Sequence, residues 1–152
     1  MSDIRYLHTD SRSVFDPTHT LFVALHTGVA DGHRYIPELY RQGVRNFIVE
    51  RGFDTSLYPG ARFTRADNTL TALRDIAATK VASAGAAHIV VTGSRGKTTV
   101  KELIYRTLFL EGYGVKRSPR SWNSQIGVSA GLWENADGDA SIIVTEVGID
   151  GP

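Results

Sequence analysis

Thr92-Gly93-Ser94-Arg95-Gly96-Lys97-Thr98-Thr99 gathers two glycines, two cations and several hydroxyls in one short run. That set of residue types suits a polyphosphate. Gly93 and Gly96 permit torsions and close approaches that a Cβ would block. Backbone amides of such a loop, with the start of a following helix, can face phosphate oxygens. Lys97 can reach the β- and γ-phosphates, and the Thr98 hydroxyl can ligate Mg²⁺. Ser94, Arg95 and Thr99 complete the candidate nucleotide-binding set. The spacing is shorter than the common phosphate loop, because only Ser94 and Arg95 separate the glycines. A second candidate ligand is Glu146, which ends the apolar run Ser141-Ile142-Ile143-Val144-Thr145. Thr98 and Glu146 together could hold one Mg²⁺ on ATP phosphates, with waters filling the octahedron. The plainer alternative for Glu146 is a solvated acid at a strand exit.

These residues need a strand before the loop and a helix after it. His88-Ile89-Val90-Val91 supplies an apolar strand run, and the pattern from Lys97 to about Leu110 is helical, with Gly112 and Gly114 as stops. A short strand at Val115-Lys116-Arg117, a helix around Gln125 to Trp133 and a strand over Ser141 to Thr145 follow. Alternating strands and helices predict a parallel, doubly wound α/β sheet with its ligand at the carboxyl ends of the strands. Upstream, Ile4 to His8 and Leu21 to Leu25 read as strands around a turn at Asp16-Pro17. Tyr35, Ile36, Leu39 and Tyr40 mark a helix stopped by Gly43, and Asn46 to Glu50 a further strand. Residues 51–62 read as loop, and Asn68 as the cap of a helix bearing Leu70, Leu73, Ile76 and Ala77. The small-residue seam Ala82-Ser83-Ala84-Gly85-Ala86 sets the expected boundary between a domain of residues 1–84 and a second of residues 85–152.

Bulk composition narrows the function classes. The 152 residues carry a formal charge of +1, so no strong field draws the chain to nucleic acid or membrane. No cysteine is present, which excludes disulfides and thiolate metal sites and fits a reducing compartment. No apolar run approaches membrane-spanning length, and Met1 to Arg5 lacks the apolar core of a signal peptide. A cytoplasmic location is the expectation.

Four segments, taken in order, resemble one family. Thr9-Asp10-Ser11-Arg12, Leu21 to Leu25, Gly28 and Asp31-Gly32-His33 are similar to the N-terminal domain of the Mur ligases, which build the peptide of bacterial cell-wall precursors. Thr92 to Thr99 resembles their short ATP loop, Ser118 to Val128 their asparagine-rich segment, and Thr145-Glu146-Val147-Gly148-Ile149 their Mg²⁺-binding glutamate with its glycine. Arg95, Ser124 and Ser129 depart from residues frequent in the family. The resemblance implies an α/β protein with a small N-terminal substrate-binding domain, followed by the first part of a P-loop parallel-sheet ATPase domain. It also implies that the chain is an N-terminal portion or an excised piece of a longer enzyme. Of its two domains, residues 1–84 are expected to be the more stable.

What the resemblance implies chemically is an ATP-dependent amide ligase acting through an acyl phosphate. Its partners would be UDP-N-acetylmuramoyl-tripeptide and D-alanyl-D-alanine, and its cofactors ATP and Mg²⁺. Lys97 would neutralise the transferring phosphoryl group, and Asn123 would hydrogen-bond near the phosphates or metal. Asp10, Ser11 and Arg12 would bind the uridine-diphosphate end, with Asp31 and His33 shaping that pocket. The wording of residues 117–127 is similar to a long form fused to an alanine racemase, and pyridoxal phosphate enters only through such a fusion. Other readings stay open: a folate-polyglutamate-type ligase, against which residues 9–33 argue; a non-catalytic binding module; and a regulatory P-loop NTPase. Arg12 as a plain surface arginine, Asp31-Gly32 as turn chemistry and His33 as a helix-entry residue are the simpler alternatives.

Overall fold

Thr20-Leu21-Phe22-Val23 is buried along its whole length, the mark of a strand covered on both faces. It is β2 (Thr20–Val23) of a computed structural model that describes residues 4–28, 30–119, 124–136 and 140–148. Around it lie β1 (Tyr6–His8), β3 (Asn46–Glu50) and β4 (Arg62–Ala66), all parallel, in the order β1-β2-β3-β4. The register pairs Leu7 with Leu21, Phe22 with Phe47, and Phe47 with Phe63. Parallel neighbours need long crossovers. Between β1 and β2 the chain makes two short 3-10 turns, Ser11–Ser13 and Pro17–His19, each capped by an aspartate. Between β2 and β3 it makes the turn Gly32–Tyr35 and α1 (Ile36–Gln42). Gly43 ends α1 at φ +109°, the left-handed stop read from the sequence.

The core of this first unit is Phe22, Ala24, Ile36, Leu39, Val44, Phe47 and Val49. Burying each large side chain contributes about 1.5–3 kcal/mol. The segment read as loop over residues 51–62 is pinned by rings rather than by backbone ladders. Phe53 lies 5.8 Å from Tyr58 and 6.1 Å from Phe63, and the Tyr40 hydroxyl donates to the Pro59 carbonyl at 2.7 Å. β4 corrects the sequence reading, which ended the loop there and named no strand. Its exposed Arg62, Thr64 and Arg65 leave Phe63 as the one large apolar residue, stacked 5.2 Å from Phe47. Charged, exposed edge strands of this kind lack an alternating or continuous apolar signal.

The two compact units divide at Leu73 and Arg74. α2 (Thr69–Ala84), capped by Asn68 at 2.9 Å to the Thr71 amide, begins in the first unit and runs on into the second, ending at the small-residue seam. The second unit holds β5 (Ala87–Val91), α3 (Lys97–Leu110), β6 (Val115–Arg117), α4 (Gln125–Asn135) and β7 (Ile142–Glu146). Their order across the sheet is β5-β7-β6, all parallel. The chain therefore passes over one strand position from β5 to β6 and returns to the middle with β7. Right-handed crossovers in opposite directions put α3 and α4 on opposite faces. The doubly wound pattern and the order of its five elements match the sequence expectation.

Candidate functional site

Central β7 is where the chemistry-bearing residues of the second unit meet. Its Glu146 pairs in register with Val91, the last residue of β5, and the Val147 amide donates to the Val91 carbonyl at 2.9 Å. The loop begins directly after Val91. Gly93 takes φ +143° and Gly96 φ +76°, both outside the range comfortable for a side chain. Gly96 is the residue before α3, and no side chain caps the helix. The first helical bond runs from the Val100 amide to the Gly96 carbonyl at 2.9 Å. The amides of Lys97, Thr98 and Thr99 therefore have no partner within the helix, and anions favour such a terminus.

Thr92, Ser94, Arg95, Gly96, Thr98 and Thr99 are exposed, while Gly93 and Lys97 are half-buried. The Lys97 ammonium donates to the Gly93 carbonyl at 2.8 Å, which folds the side chain over the loop. Glu146 is fully buried, and neither of its carboxylate oxygens has a hydrogen-bond partner among the described residues. A buried carboxylate with both oxygens unused is poised for a cation. No group of three or more His, Cys, Asp or Glu side chains that could hold a metal ion occurs among the described residues. A divalent ion here would need phosphate oxygens and water besides Glu146 and Thr98, which is how Mg²⁺ is commonly held. The residues present thus fit Mg²⁺ carried on a nucleotide. Asn123 lies outside the described residues.

Two residues that the sequence reading did not single out for the site, Lys101 and Ser118, lie against Glu146. Lys101 is fully buried on α3, one turn beyond Lys97, and its ammonium donates to the Ser118 carbonyl at 3.0 Å. It lies 3.6 Å from Glu146 and 3.6 Å from Glu102. Ser118 joins β6 to β7: its amide donates to the Val144 carbonyl at 2.9 Å, and its hydroxyl accepts from the Glu146 amide at 3.4 Å. The spacing of four residues between Lys97 and Lys101 was the available signal, since it puts both on one helix face.

In the first unit, Asp10 and Arg12 form a closed pair. Asp10 Oδ1 accepts the Arg12 amide at 3.0 Å. The guanidinium then returns as a fork, Nε to Oδ1 at 3.0 Å and Nη2 to Oδ2 at 2.7 Å. Ser11 sits half-buried between them. The Arg12 side chain is 88% exposed, so much of its donor surface faces solvent. The Arg12 hydrogen bonds hold the Asp10 carboxyl at about 2, below its ordinary 3.8. A depressed carboxyl stabilises the fold above its ordinary value and loses that contribution as pH falls through the depressed one. An NMR titration of Asp10 is expected to show a midpoint near 2, moving back toward 3.8 in Arg12→Ala. A wild-type midpoint near 3.8 would show that the fork does not persist in solution.

Asp31 and His33 form a second pair, unlinked to the first by any hydrogen bond among the described residues. Asp31 Oδ1 accepts the His33 amide at 2.9 Å and lies 2.6 Å from Nδ1. His33 Nε2 accepts the Glu50 amide at 3.0 Å. With Nε2 accepting from a backbone amide and Nδ1 facing a carboxylate, the imidazole fastens this turn to the end of β3. Gly32 between them is buried, its amide donating to the Leu25 carbonyl at 2.8 Å.

A strand, a glycine loop and an uncapped helix, beside a buried acid at the neighbouring strand end, give the second unit the layout of a phosphate-loop fold. Residues 91–152 match the family model of the Mur ligase middle domain. The chain belongs to the Mur ligase family. It is 36% identical over 132 residues to the UDP-N-acetylmuramoyl-tripeptide–D-alanyl-D-alanine ligase of Treponema pallidum, covering 82% of this chain and 28% of that protein. To the ligase of the same name from Synechocystis it is 35% identical over 141 residues, covering 92% of this chain and 30% of the relative. The crystal structure of the MurF ligase of Thermotoga maritima in complex with ADP superposes with a TM-score of 0.80 at 28% identity, covering 97% of this chain and 33% of that one. The chain thus spans about a third or less of the length of these relatives. No helix among the described residues is long and apolar enough to cross a membrane.

Proposed function

We propose that this chain supplies the substrate-binding domain, residues 1–84, and the start of the ATP-binding domain, residues 85–152, of a cytoplasmic ligase of peptidoglycan precursor synthesis. The reaction joins D-alanyl-D-alanine to UDP-N-acetylmuramoyl-tripeptide. The observation that carries this reading is the glycine loop at an uncapped helix start, beside a buried Glu146 whose carboxylate oxygens accept no hydrogen bond among the described residues, in a chain whose relatives bear that ligase name.

In the proposed reaction the tripeptide carboxylate attacks the γ-phosphorus of ATP. The bond from that phosphorus to the β-bridging oxygen breaks, and ADP leaves. The amine of D-alanyl-D-alanine then attacks the acyl carbon, phosphate departs, and the nitrogen loses its extra proton to solvent. No protein nucleophile is needed; positioning and charge neutralisation carry the rate. The Gly93–Gly96 backbone and the free amides of α3 cradle the phosphates, with Ser94, Arg95 and Thr99 around them. Lys97 leaves the Gly93 carbonyl to meet the transferring phosphoryl oxygens. Thr98 and Glu146 hold Mg²⁺, which supplies Lewis-acid charge to the phosphates. Asn123 adds a hydrogen bond near them.

Arg12 suits a diphosphate because its guanidinium is a rigid donor fork. Asp10 pre-aligns that fork, and Ser11 lies beside it. Asp31 and His33 shape that pocket by bracing its turn: Asp31 Oδ1 meets both the His33 amide and its ring, and His33 Nε2 accepts from the Glu50 amide. Calorimetric titration with UDP-N-acetylmuramoyl-tripeptide tests the reading, with folyl-γ-glutamate as the counter-ligand. Binding of the nucleotide sugar, weakened about tenfold or more in Arg12→Ala, is expected. Binding of the folate instead would move the chain to the folate-polyglutamate ligases.

A further inference from the structure

Lys101 is the one fully buried lysine among the described residues, and the proposed reaction gives it no task. It sits among an arrangement of charges that nearly cancels. Its ammonium lies 3.6 Å from Glu146 and 3.6 Å from Glu102, and Glu102 in turn accepts from Arg117 Nε at 2.9 Å. Arg117 also lies over the Tyr105 ring at 3.9 Å. Among the described residues, these two acids and two cations balance at the end of β7. The geometry of the pair is equally telling. Lys101 donates a hydrogen bond to the Ser118 carbonyl, at 3.0 Å, and stands 3.6 Å off from Glu146, whose carboxylate oxygens have no hydrogen-bond donor among the described residues. The ammonium offsets the burial of the acid while leaving its lone pairs available.

We propose that Lys101 is a built-in counter-cation that prevents Glu146 from holding a divalent ion unaided, so that metal and nucleotide phosphates enter together. This rests on the reading of Glu146 as a metal ligand. A dication beside Glu146 meets a positive charge already in place, and inside a protein such repulsion is weakly screened. The polyphosphate brings the negative charge that offsets it. Lys101 is a positioning residue in this scheme, touching neither phosphate nor metal. The consequence is a loop that does not fill with free metal between turnovers.

Electron paramagnetic resonance of Mn²⁺ with the nucleotide-free chain provides the test. The wild-type chain is expected to bind no Mn²⁺ below about 1 mM, a range in which weak protein sites for hard cations lie. Lys101→Met keeps the stem and removes the charge, and is expected to bind Mn²⁺ at least about tenfold more tightly. The double variant Lys101→Met with Glu146→Gln is expected to lose that site. Submillimolar, Glu146-dependent Mn²⁺ binding by the wild type would overturn the proposal, whether or not the variant folds. So would a folded Lys101→Met, by circular dichroism, that binds no better than wild type. A parallel titration with Mn²⁺ and ATP separates the two ideas. If Glu146→Gln weakens the Mn²⁺–ATP complex while Lys101→Met fails to tighten free Mn²⁺, the Lys101 proposal alone falls. If Glu146→Gln leaves that complex unchanged, the metal-ligand reading falls with it.

Discussion

Replacing Lys97 with alanine is expected to leave α3 and the sheet intact and to remove most of the affinity for ATP. Alanine is a better helix former than lysine, so the first turn of α3 is not weakened by the exchange. The native contact that is lost, from Nζ to the Gly93 carbonyl at 2.8 Å, is one hydrogen bond between the two half-buried residues of an otherwise exposed loop. Loss of a charge-assisted bond to phosphate costs about 1.5–3 kcal/mol in binding, or roughly 10–100-fold. In a complete ligase the effect on phosphoryl transfer should be larger, on the order of 10³, because the charge that Lys97 meets grows toward the transition state. Arg95→Ala, at an exposed position in the same loop, serves as the comparison and should change ATP affinity less. Calorimetry with Mg²⁺–ATP reads both. Equal losses in the two variants would mean that the loop acts only as a diffuse positive patch.

The second large effect is structural. A Cβ placed on Gly32 would stand 2.9 Å from the Leu25 amide nitrogen, 3.0 Å from Ala24 Cα and 3.0 Å from the Leu25 carbonyl oxygen. All three are backbone atoms, and they cannot easily retreat. Ala24 and Leu25 are buried, the Ala24 amide donates to Ile48 at 2.9 Å, and the Gly32 amide donates to Leu25 at 2.8 Å. Gly32→Val is therefore expected to destabilise the first unit by about 3 kcal/mol. Amide exchange in β2 and β3 would read this as roughly a hundredfold faster opening. Gly52→Ala is the control: nothing lies within 4 Å of its added carbon, and it should stay within about 0.5 kcal/mol of wild type. A change below about 1 kcal/mol in Gly32→Val would mean that the turn shifts freely and that the Asp31–His33 scaffold is looser than it looks.

Much of the second unit was legible because its signals are local. An apolar run, two glycines around Ser94-Arg95 and a helical pattern stopped by Gly112 translate into β5, the loop and α3. Val115-Lys116-Arg117 is too short to be persuasive alone, yet glycines on one side and Pro119 on the other isolate it as β6. β4 was not legible, because an exposed edge strand with one phenylalanine carries no periodic signal. The ordered course of residues 51–61 was hidden for a related reason. Phe53 meets the His33 ring and Tyr58 the Tyr40 ring, both far away in sequence, and turn residues around them look like any loop.

The site divides the same way. Lys97, Thr98 and Glu146 could be named because their positions follow from strand ends and a helix start. Lys101 could not, because a lysine on a helix is exposed in most proteins. Its burial follows from Ser118, just past β6, and Glu146, at the end of β7, arriving beside α3. Asp31 and His33 show the converse. Their residue types suggest a ligand, and only the fold shows that His33 also ties their turn to the end of β3.

The most direct test of the ligase account is product formation by a chimera in which this chain replaces the matching segment of a full-length D-alanyl-D-alanine-adding relative. Mass spectrometry would follow UDP-N-acetylmuramoyl-pentapeptide, with ADP and phosphate measured alongside. The expected result is pentapeptide and ADP in equal amounts, both abolished by Lys97→Ala. A folded chimera that binds ATP and the tripeptide substrate yet releases ADP without forming the amide, with or without Lys97, would contradict the account.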